Sequence, residues 1–344
     1  MTYARRIQKV GSGTLTVSLP SRWVKARGLN SGSVVEITEM PDGSLRISTE
    51  AKPKTKHLTV TFDAGKYSDQ GLLNRLIVGA YLQGAEEIRI ISGEGLTGEL
   101  QSSISKTIDM LPGVEVVEQT YRRVIIQSFV DPERFPFEVL IKRILVMLTT
   151  IINDLAEAAR TGRNDLLYDV EKIENKIDEL YFLCVRQIFM GVKTKFPGEE
   201  TEGYLTAIGD RLVARALEEI ADSVKIAAGE IILLNQLNAD ASLRMSIANL
   251  TEPIQVLLGK TMKAFFSLDA ALANEVIETT SREWGEHISF SDLFPESGNA
   301  STAVIMRNIL WSMISVARNC KIIAEVTLNR FVRTPSRIVE LKTF

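Results

Sequence analysis

Leu217-Glu218-Glu219-Ile220-Ala221-Asp222-Ser223-Val224-Lys225-Ile226-Ala227 spaces its apolar residues at the helical period, and a parallel run, Ile314-Ser315-Val316-Ala317-Arg318-Asn319-Cys320-Lys321-Ile322-Ile323-Ala324, returns near the C-terminus. A shift of 104 residues also lays Asp165, Glu174 and Asp178 over Asp269, Glu278 and Arg282, with Glu171 over Glu275 and Ile173 over Ile277. Internal repetition of this kind means one helical unit used twice. Outward from these runs, Phe137 to Arg160, Asn164 to Met190, Glu202 to Leu234, Thr251 to Phe266, Asp269 to His287 and Ala303 to Phe331 are amphipathic and joined by mostly short polar loops. Six such helices predict tandem three-helix bundles, at about 137–236 and 249–334, within an all-α region 131–344.

The paired acids of this region suit a definite chemistry. Carboxylates four residues apart sit on one helix face, where they repel unless a cation or a basic neighbour intervenes. Glu174 and Asp178 on one helix and Glu218 and Asp222 on the next supply two pairs that antiparallel packing can face together, and oxygen ligands from two helices suit a hard or borderline cation. The competing reading neutralises the same acids with Lys176 or Lys225. In the second copy Arg282, Ser315 and Asn319 stand where Asp178, Glu218 and Asp222 do. A guanidinium disfavours a cation beside it, so any metal content is expected to be asymmetric between the repeats.

The layout resembles the PhoU family, whose tandem three-helix bundles carry E/D-x-x-x-D motifs and a third-helix signature close to Leu-Glu-x-Ile-x-Asp-x-x-x-x-Ile-Ala. The resemblance implies iron or zinc ions in multinuclear clusters at such motifs. It also implies negative regulation of phosphate uptake, in association with a phosphate transporter ATPase or a sensor kinase.

Upstream, residues 56–130 read as a small α/β domain. Strands His57 to Phe62, Glu87 to Ile91, Val114 to Glu118 and Arg123 to Gln127 are interleaved with helices Gln70 to Gln83 and Gly98 to Leu111, a β-α-β-α-β-β order. Gly93-Glu94-Gly95-Leu96-Thr97-Gly98 fits the G-x-G-x-x-G spacing, with Glu118 about 20 residues on. Glu94 and Glu99 would place carboxylates where a pyrophosphate should sit, so a tight turn is the favoured reading over a dinucleotide or small regulatory ligand. Lys52-Pro53-Lys54-Thr55-Lys56 reads as the linker in front of this domain.

Residues 1–50 alternate apolar and polar residues around two turns, Gly11-Ser12-Gly13 and Met40-Pro41-Asp42-Gly43, which is hairpin grammar. Between them Arg22 to Arg27 forms a short helix that Gly28 can end. So few residues bury too little apolar area alone, and a partner chain is expected. The run Thr14-Leu15-Thr16-Val17-Ser18-Leu19-Pro20-Ser21-Arg22-Trp23-Val24-Lys25-Ala26-Arg27-Gly28-Leu29, followed by Ser31-Gly32-Ser33-Val34-Val35-Glu36-Ile37, resembles the AbrB/MazE-type (SpoVT-AbrB) DNA-binding domain. That family pairs two copies as swapped hairpins and grips DNA with basic side chains. By resemblance this points to Arg5, Arg6 and Lys9 on the first strand and to Arg22, Lys25 and Arg27 around the helix, with Val24 standing where the family often has a second arginine. The full chain is then similar to archaeal PhoU-like regulators, and the expected class is multidomain α+β.

Charge agrees with this division. The 344 residues carry a net charge of -3, yet the first 35 residues hold no acid, and residues 131–344 are net acidic. Phosphate tracking by one end of the chain fits this balance better than wholesale coating of nucleic acid. The nearly apolar run Ile144 to Ile152 is far too short to span a bilayer, and the N-terminus lacks a secretory apolar stretch, so a cytoplasmic protein without membrane insertion is expected. Cys184 and Cys320 sit in apolar helical patterns as packed thiols, and with His57 and His287 they give no zinc spacing. No residues combine as nucleophile and base, so no catalysis and no organic cofactor are expected. Three functions compete: a dimeric DNA-binding regulator of phosphate homeostasis, a metal-binding or transporter-associated scaffold whose head merely dimerises, and a nucleotide-responsive regulator acting through the Gly93 turn.

Overall fold

The computed structural model describes residues 3–39, 43–49, 58–66, 69–131, 134–195, 201–237, 241–284, 300–333 and 339. The linker Lys52 to Lys56, His57 and His287 lie outside the described residues. The chain divides into two compact units, Met1–Lys56 and His57–Phe344.

The first unit holds two antiparallel hairpins, β1 (Gln8–Val10) with β2 (Thr14–Thr16) and β3 (Glu36–Glu39) with β4 (Leu45–Ser48), and a one-and-a-half-turn helix α1 (Ser21–Ala26). Pro20 opens α1 with extended backbone, and Gly28 ends it at φ 63°, where a side chain would be strained. None of the described side chains of this unit whose exposure is defined is buried. Ile7, Val10, Leu15, Val17, Val34, Ile37 and Leu45 are all more than half exposed. A β module that fully buries none of its described apolar side chains has little hydrophobic drive to fold as a single chain.

In the second unit, β5 (Thr59–Asp63), β6 (Glu87–Ile91), β7 (Val114–Gln119) and β8 (Arg123–Ser128) form one sheet in the order β5-β6-β8-β7, with β5 and β6 parallel and the other pairs antiparallel. Helices α2 (Gln70–Leu82) and α3 (Gly98–Asp109) supply its core cover, burying Leu73, Ile77, Tyr81, Ile104 and Ile108 with Ile88, Ile90, Val124 and Ile126. Asp69 and Thr97 cap the two helices by accepting from Gly71 N and Leu100 N. The β-α-β-α-β-β order expected from the sequence is the order observed.

Six long helices follow: α4 (Phe137–Thr161), α5 (Val170–Lys195), α6 (Thr201–Gln236), α7 (Ala241–Ser267), α8 (Ala270–Glu283) and α9 (Ala300–Phe331). The chain is thus a multidomain α+β protein with an all-α C-terminal region. Two helix starts differ from the sequence reading by more than three residues. The expected helix Asn164 to Met190 is broken into a 3-10 turn, Asn164–Leu167, and α5, which starts at Val170. Leu167 and Val170 both bury into the core across that break, and packing decides the geometry there. The expected helix Thr251 to Phe266 starts ten residues earlier, at Ala241, and runs through Pro253. Burial of Ile247, Ala248 and Leu250 holds the turns before the proline, offsetting the hydrogen bond it removes.

Helices α4 to α6 and α7 to α9 each pack as a threesome, and the two sets also pack broadly on one another through α6 with α9 and α4 with α7. One hydrophobic cluster therefore runs through both repeats, from Leu140 on α4 to Val326 on α9. Helix α9 is long and apolar enough to cross a membrane by composition, but half of its most apolar window is buried, and it packs against α6, α7 and α8 as a core helix.

The sheet layer is fastened to this body through α5. Arg186, 4% exposed, donates Nη1 to the Tyr81 carbonyl (2.5 Å) and Nη2 to Ser128 Oγ (3.0 Å), and stacks 4.8 Å from the Tyr81 ring centroid. Beside it, Gly84 at φ 83° lets Met190 approach so closely that a Cβ there would lie 2.2 Å from the Met190 Sδ.

Candidate functional site

Antiparallel packing of α5 on α6 brings Glu174, Asp178 and Asp222 together, with one oxygen of each within 4.8 Å of the others. The i,i+4 spacing of Glu174 and Asp178 puts both on the face of α5 that meets α6, where Ile177 and Tyr181 anchor the same turns in the core. Glu174 is 1% exposed and Glu218 9%, so these acids lie at the edge of the apolar interior. Glu174 Oε2, Asp178 Oδ1 and Glu218 Oε2 are buried with no hydrogen-bond partner. Unpaired buried oxygens are costly, and a bound cation is one way to relieve them.

Two basic side chains take part. Lys225 donates Nζ to Glu174 Oε1 at 2.8 Å, while Arg215, one turn ahead of Glu218, donates Nη1 to Glu218 Oε1 at 2.7 Å and also pairs with Glu219. Of the neutralising partners read from the sequence, Lys225 is the one at the site. Lys176 pairs instead with Glu179. Glu218 differs from the sequence expectation: it stands beside the triad, held by Arg215, and is not within the closest set of oxygens. Arg215 was legible only as an i,i+3 companion of Glu218.

Burial pushes the Glu174 and Asp178 carboxyls up, against the pull of Lys225, with the neighbouring acids adding to the rise. Burial likewise raises Glu218 to about 7, with Arg215 opposing and Asp222, Asp178 and Glu219 reinforcing. An acid whose folded pKa is raised binds its proton more tightly in the folded state, so its stabilising contribution is present below the ordinary carboxylate range and is lost as pH climbs toward 7. Chelator-treated protein should therefore melt at a lower temperature at pH 7.5 than at pH 5, and the variant Glu218→Gln should flatten that slope in a thermal scan at several pH values. An unchanged slope in the variant would count against this assignment.

In the second repeat the corresponding residues do other work. Ser315 Oγ accepts from Ser223 Oγ at 2.8 Å across the α6/α9 seam, Asn319 donates Nδ2 to the Ser315 carbonyl, and Arg282 pairs with Glu283.

The glycine-rich turn after β6 is closed by its own chain. Gly95, at φ 104°, lies under Tyr121, whose ring a Cβ at Gly95 would meet at 2.1 Å, and the Tyr121 hydroxyl donates to the Glu94 carbonyl. Gly95 N is bonded to Ser92 Oγ, Leu96 N to the Tyr121 carbonyl, and Leu100 N to Thr97 Oγ1. Glu118 accepts from Arg123 Nε at 2.8 Å. With the Gly95 and Leu96 amides bonded internally and the Glu94 and Glu99 carboxylates beside the start of α3, the turn disfavours a pyrophosphate. Fluorescence titration with NADH is expected to show no saturable signal in the micromolar range, and saturation there would reopen the site.

In the head, Arg5 and Arg6 precede β1, Lys9 lies on β1 opposite Leu15, Arg22 and Lys25 are one turn apart on α1, and Arg27 follows it. All six are exposed.

Two family models match the chain: "Antidote-toxin recognition MazE, bacterial antitoxin" over residues 8–57, and the PhoU domain over residues 141–231. Among solved structures, PhoU from Pseudomonas aeruginosa is similar with a TM-score of 0.52 at 18% identity, over 57% of this chain and 95% of that one, a likeness of fold. No curated protein matches the chain.

Proposed function

We propose that this chain is a DNA-binding regulator of phosphate homeostasis, in which a paired MazE/AbrB-type head grips duplex DNA and a PhoU-like body relays phosphate status. The observation that carries the reading is the joining of two units on one chain: a MazE-matched head whose six basic residues are exposed, and a PhoU-matched acidic body. The head's apolar side chains, exposed in the single chain, support pairing with a second copy, which would cover them and set the basic residues of two heads against one duplex. Phosphate contacts from such side chains position a protein on DNA, while base readout adds the operator preference.

The body supplies the regulatory input. The α5/α6 acids fit a metal ion chemically: oxygen donors, buried, partly unpartnered and in excess over the two basic side chains beside them. Glu174, Asp178 and Asp222, with Glu218 next to them, would hold it, and the ion would supply positive charge at the seam between two helices. The protein works in the cytoplasm on this reading, as a homodimer, with a phosphate transporter ATPase as a further partner and with no catalytic step.

A second reading is favoured by the same unpartnered oxygens: a metal-binding scaffold whose head only dimerises. DNA binding by the full chain, measured by mobility shift on its own promoter against a variant with Arg5, Arg6 and Lys25 replaced by alanine, separates the two. Binding that is lost in the variant supports the regulator, and no binding by the unaltered protein leaves the scaffold.

A further inference from the structure

Helices α6 and α9 run antiparallel and are joined along one edge of their seam by polar side chains. Ser223 Oγ donates to Ser315 Oγ at 2.8 Å, and Asn308 Nδ2 donates to Glu230 Oε1 at 2.7 Å. Steps of three and four residues from these contacts reach Ile226, Leu233 and Leu237 on α6 and Val304 and Trp311 on α9, which therefore share the outer side of the same seam. Each of these five side chains is half exposed or more. Soluble proteins rarely leave a contiguous apolar patch bare, and tryptophan is the residue type that most often anchors an interface.

We propose that this face pairs with the same face of a second copy, about a two-fold axis running along the α6/α9 seam. The register of the two helices is what argues for it. The two hydrogen bonds align position 223 with 315 and position 230 with 308, so Ile226 lies abreast of Trp311, Leu233 of Val304, Glu219 of Arg318 and Glu230 of Arg307. A two-fold along the seam lays α6 of one copy over α9 of the other at the same height. Each residue then meets, on the other copy, the type it already stands beside: apolar on apolar, and acid on arginine.

The charges choose between the possible axes. Arg307 and Arg318 are exposed and engaged in no ion pair among the described residues, while Glu219 shares Arg215 with Glu218, and Glu230 takes only the Asn308 amide. A two-fold perpendicular to the helices would lay α6 on α6 and bring Glu219 against Glu230, which like charges disfavour. With the axis along the seam, all four arginines of the pair face a carboxylate. A foreign partner gives no reason for a face to match itself in this way. The contact is separate from that of the heads: where heads join two chains, tethering raises the effective concentration of one body about the other, and a weak body contact then suffices.

The test replaces Ile226 of the full chain with the photo-cross-linking residue p-benzoylphenylalanine, irradiates the protein, and isolates the product of two-chain mass on a denaturing gel. Mass spectrometry of that product should map the link from position 226 to the stretch Val304 to Arg318. Arg307→Glu in this background sets acid against acid twice in each pair and should lower the two-chain yield at least about fivefold. Arg307→Glu combined with Glu230→Lys should restore it. Far-UV circular dichroism with a thermal scan checks that each variant is folded. No two-chain product, or one whose link leads to the head or the sheet layer, would overturn the proposal. An unchanged yield in folded Arg307→Glu, or no recovery in the charge-swapped chain, would overturn the two-fold along the seam.

Discussion

Alanine at Arg5, Arg6 and Lys25 together is expected to weaken binding of the full chain to its own promoter by about a hundredfold or more near 0.15 M salt, and to flatten the salt dependence. Each phosphate contact contributes about 0.9 to the slope of log affinity against log salt, so three lost contacts per head should reduce that slope by about 2.7, and by about twice that for a pair of heads. The three residues come from the segment before β1 and from α1, all exposed, so removing them should leave the fold unchanged. A mobility shift at several salt concentrations, beside circular dichroism of the variant, reads both quantities. A variant that binds as tightly as the parent, with the same slope, would place the DNA contacts elsewhere or nowhere.

The second large effect concerns Arg186. Arg186→Ala removes a buried guanidinium from the Tyr81 carbonyl, from Ser128 Oγ and from the face of the Tyr81 ring at once. Hydrogen bonds to a charged group are worth about 1.5 to 3 kcal/mol each, so losing two of them, with the Tyr81 carbonyl keeping only its bond from Gly84 N, is expected to cost about 3 kcal/mol or more. The loss should be concentrated between the sheet layer and α5, because the apolar contacts there are few: Leu82, Phe182 and Val130 at the boundary, with Met190 seated on Gly84. Urea unfolding followed by two probes, one in the sheet layer and one in the helical body, should show coincident transitions in the parent and separated ones in the variant. Coincident transitions shifted by under about 1 kcal/mol would show that the fastening lies in the apolar contacts alone.

Much of this architecture is legible in the residue pattern because long helices declare themselves. The period of apolar residues marks six helices, with Asp269 capping α8, while the strands of the middle layer alternate cleanly enough to place within a residue or two and Asp69 and Thr97 cap the two helices between them. What escapes the pattern is what tertiary packing decides. The sequence reading starts a helix at Thr251, two residues before Pro253, yet buried residues on both sides carry α7 through the proline. Leu167 and Val170 look continuous with one helix, yet the chain pauses in a 3-10 turn between them. The acid pairs on α5 and α6 are visible by spacing, but spacing treats Lys176 and Lys225 alike. The packing of α6 on α5 separates them, since Lys225 crosses to Glu174 while Lys176 stays with Glu179 on its own helix. Arg215, which draws Glu218 aside from the closest oxygens, belongs to the same category.

The naked hairpins of the head carry a consequence in mass action. If neither copy keeps its shape without the other, then each grip on the duplex costs two polypeptides, and occupancy at low abundance climbs with the square of the number present rather than in proportion. Halving synthesis would then cut promoter coverage about fourfold, so the cell would receive a steep, dose-sensitive response from the head's unfinished surface.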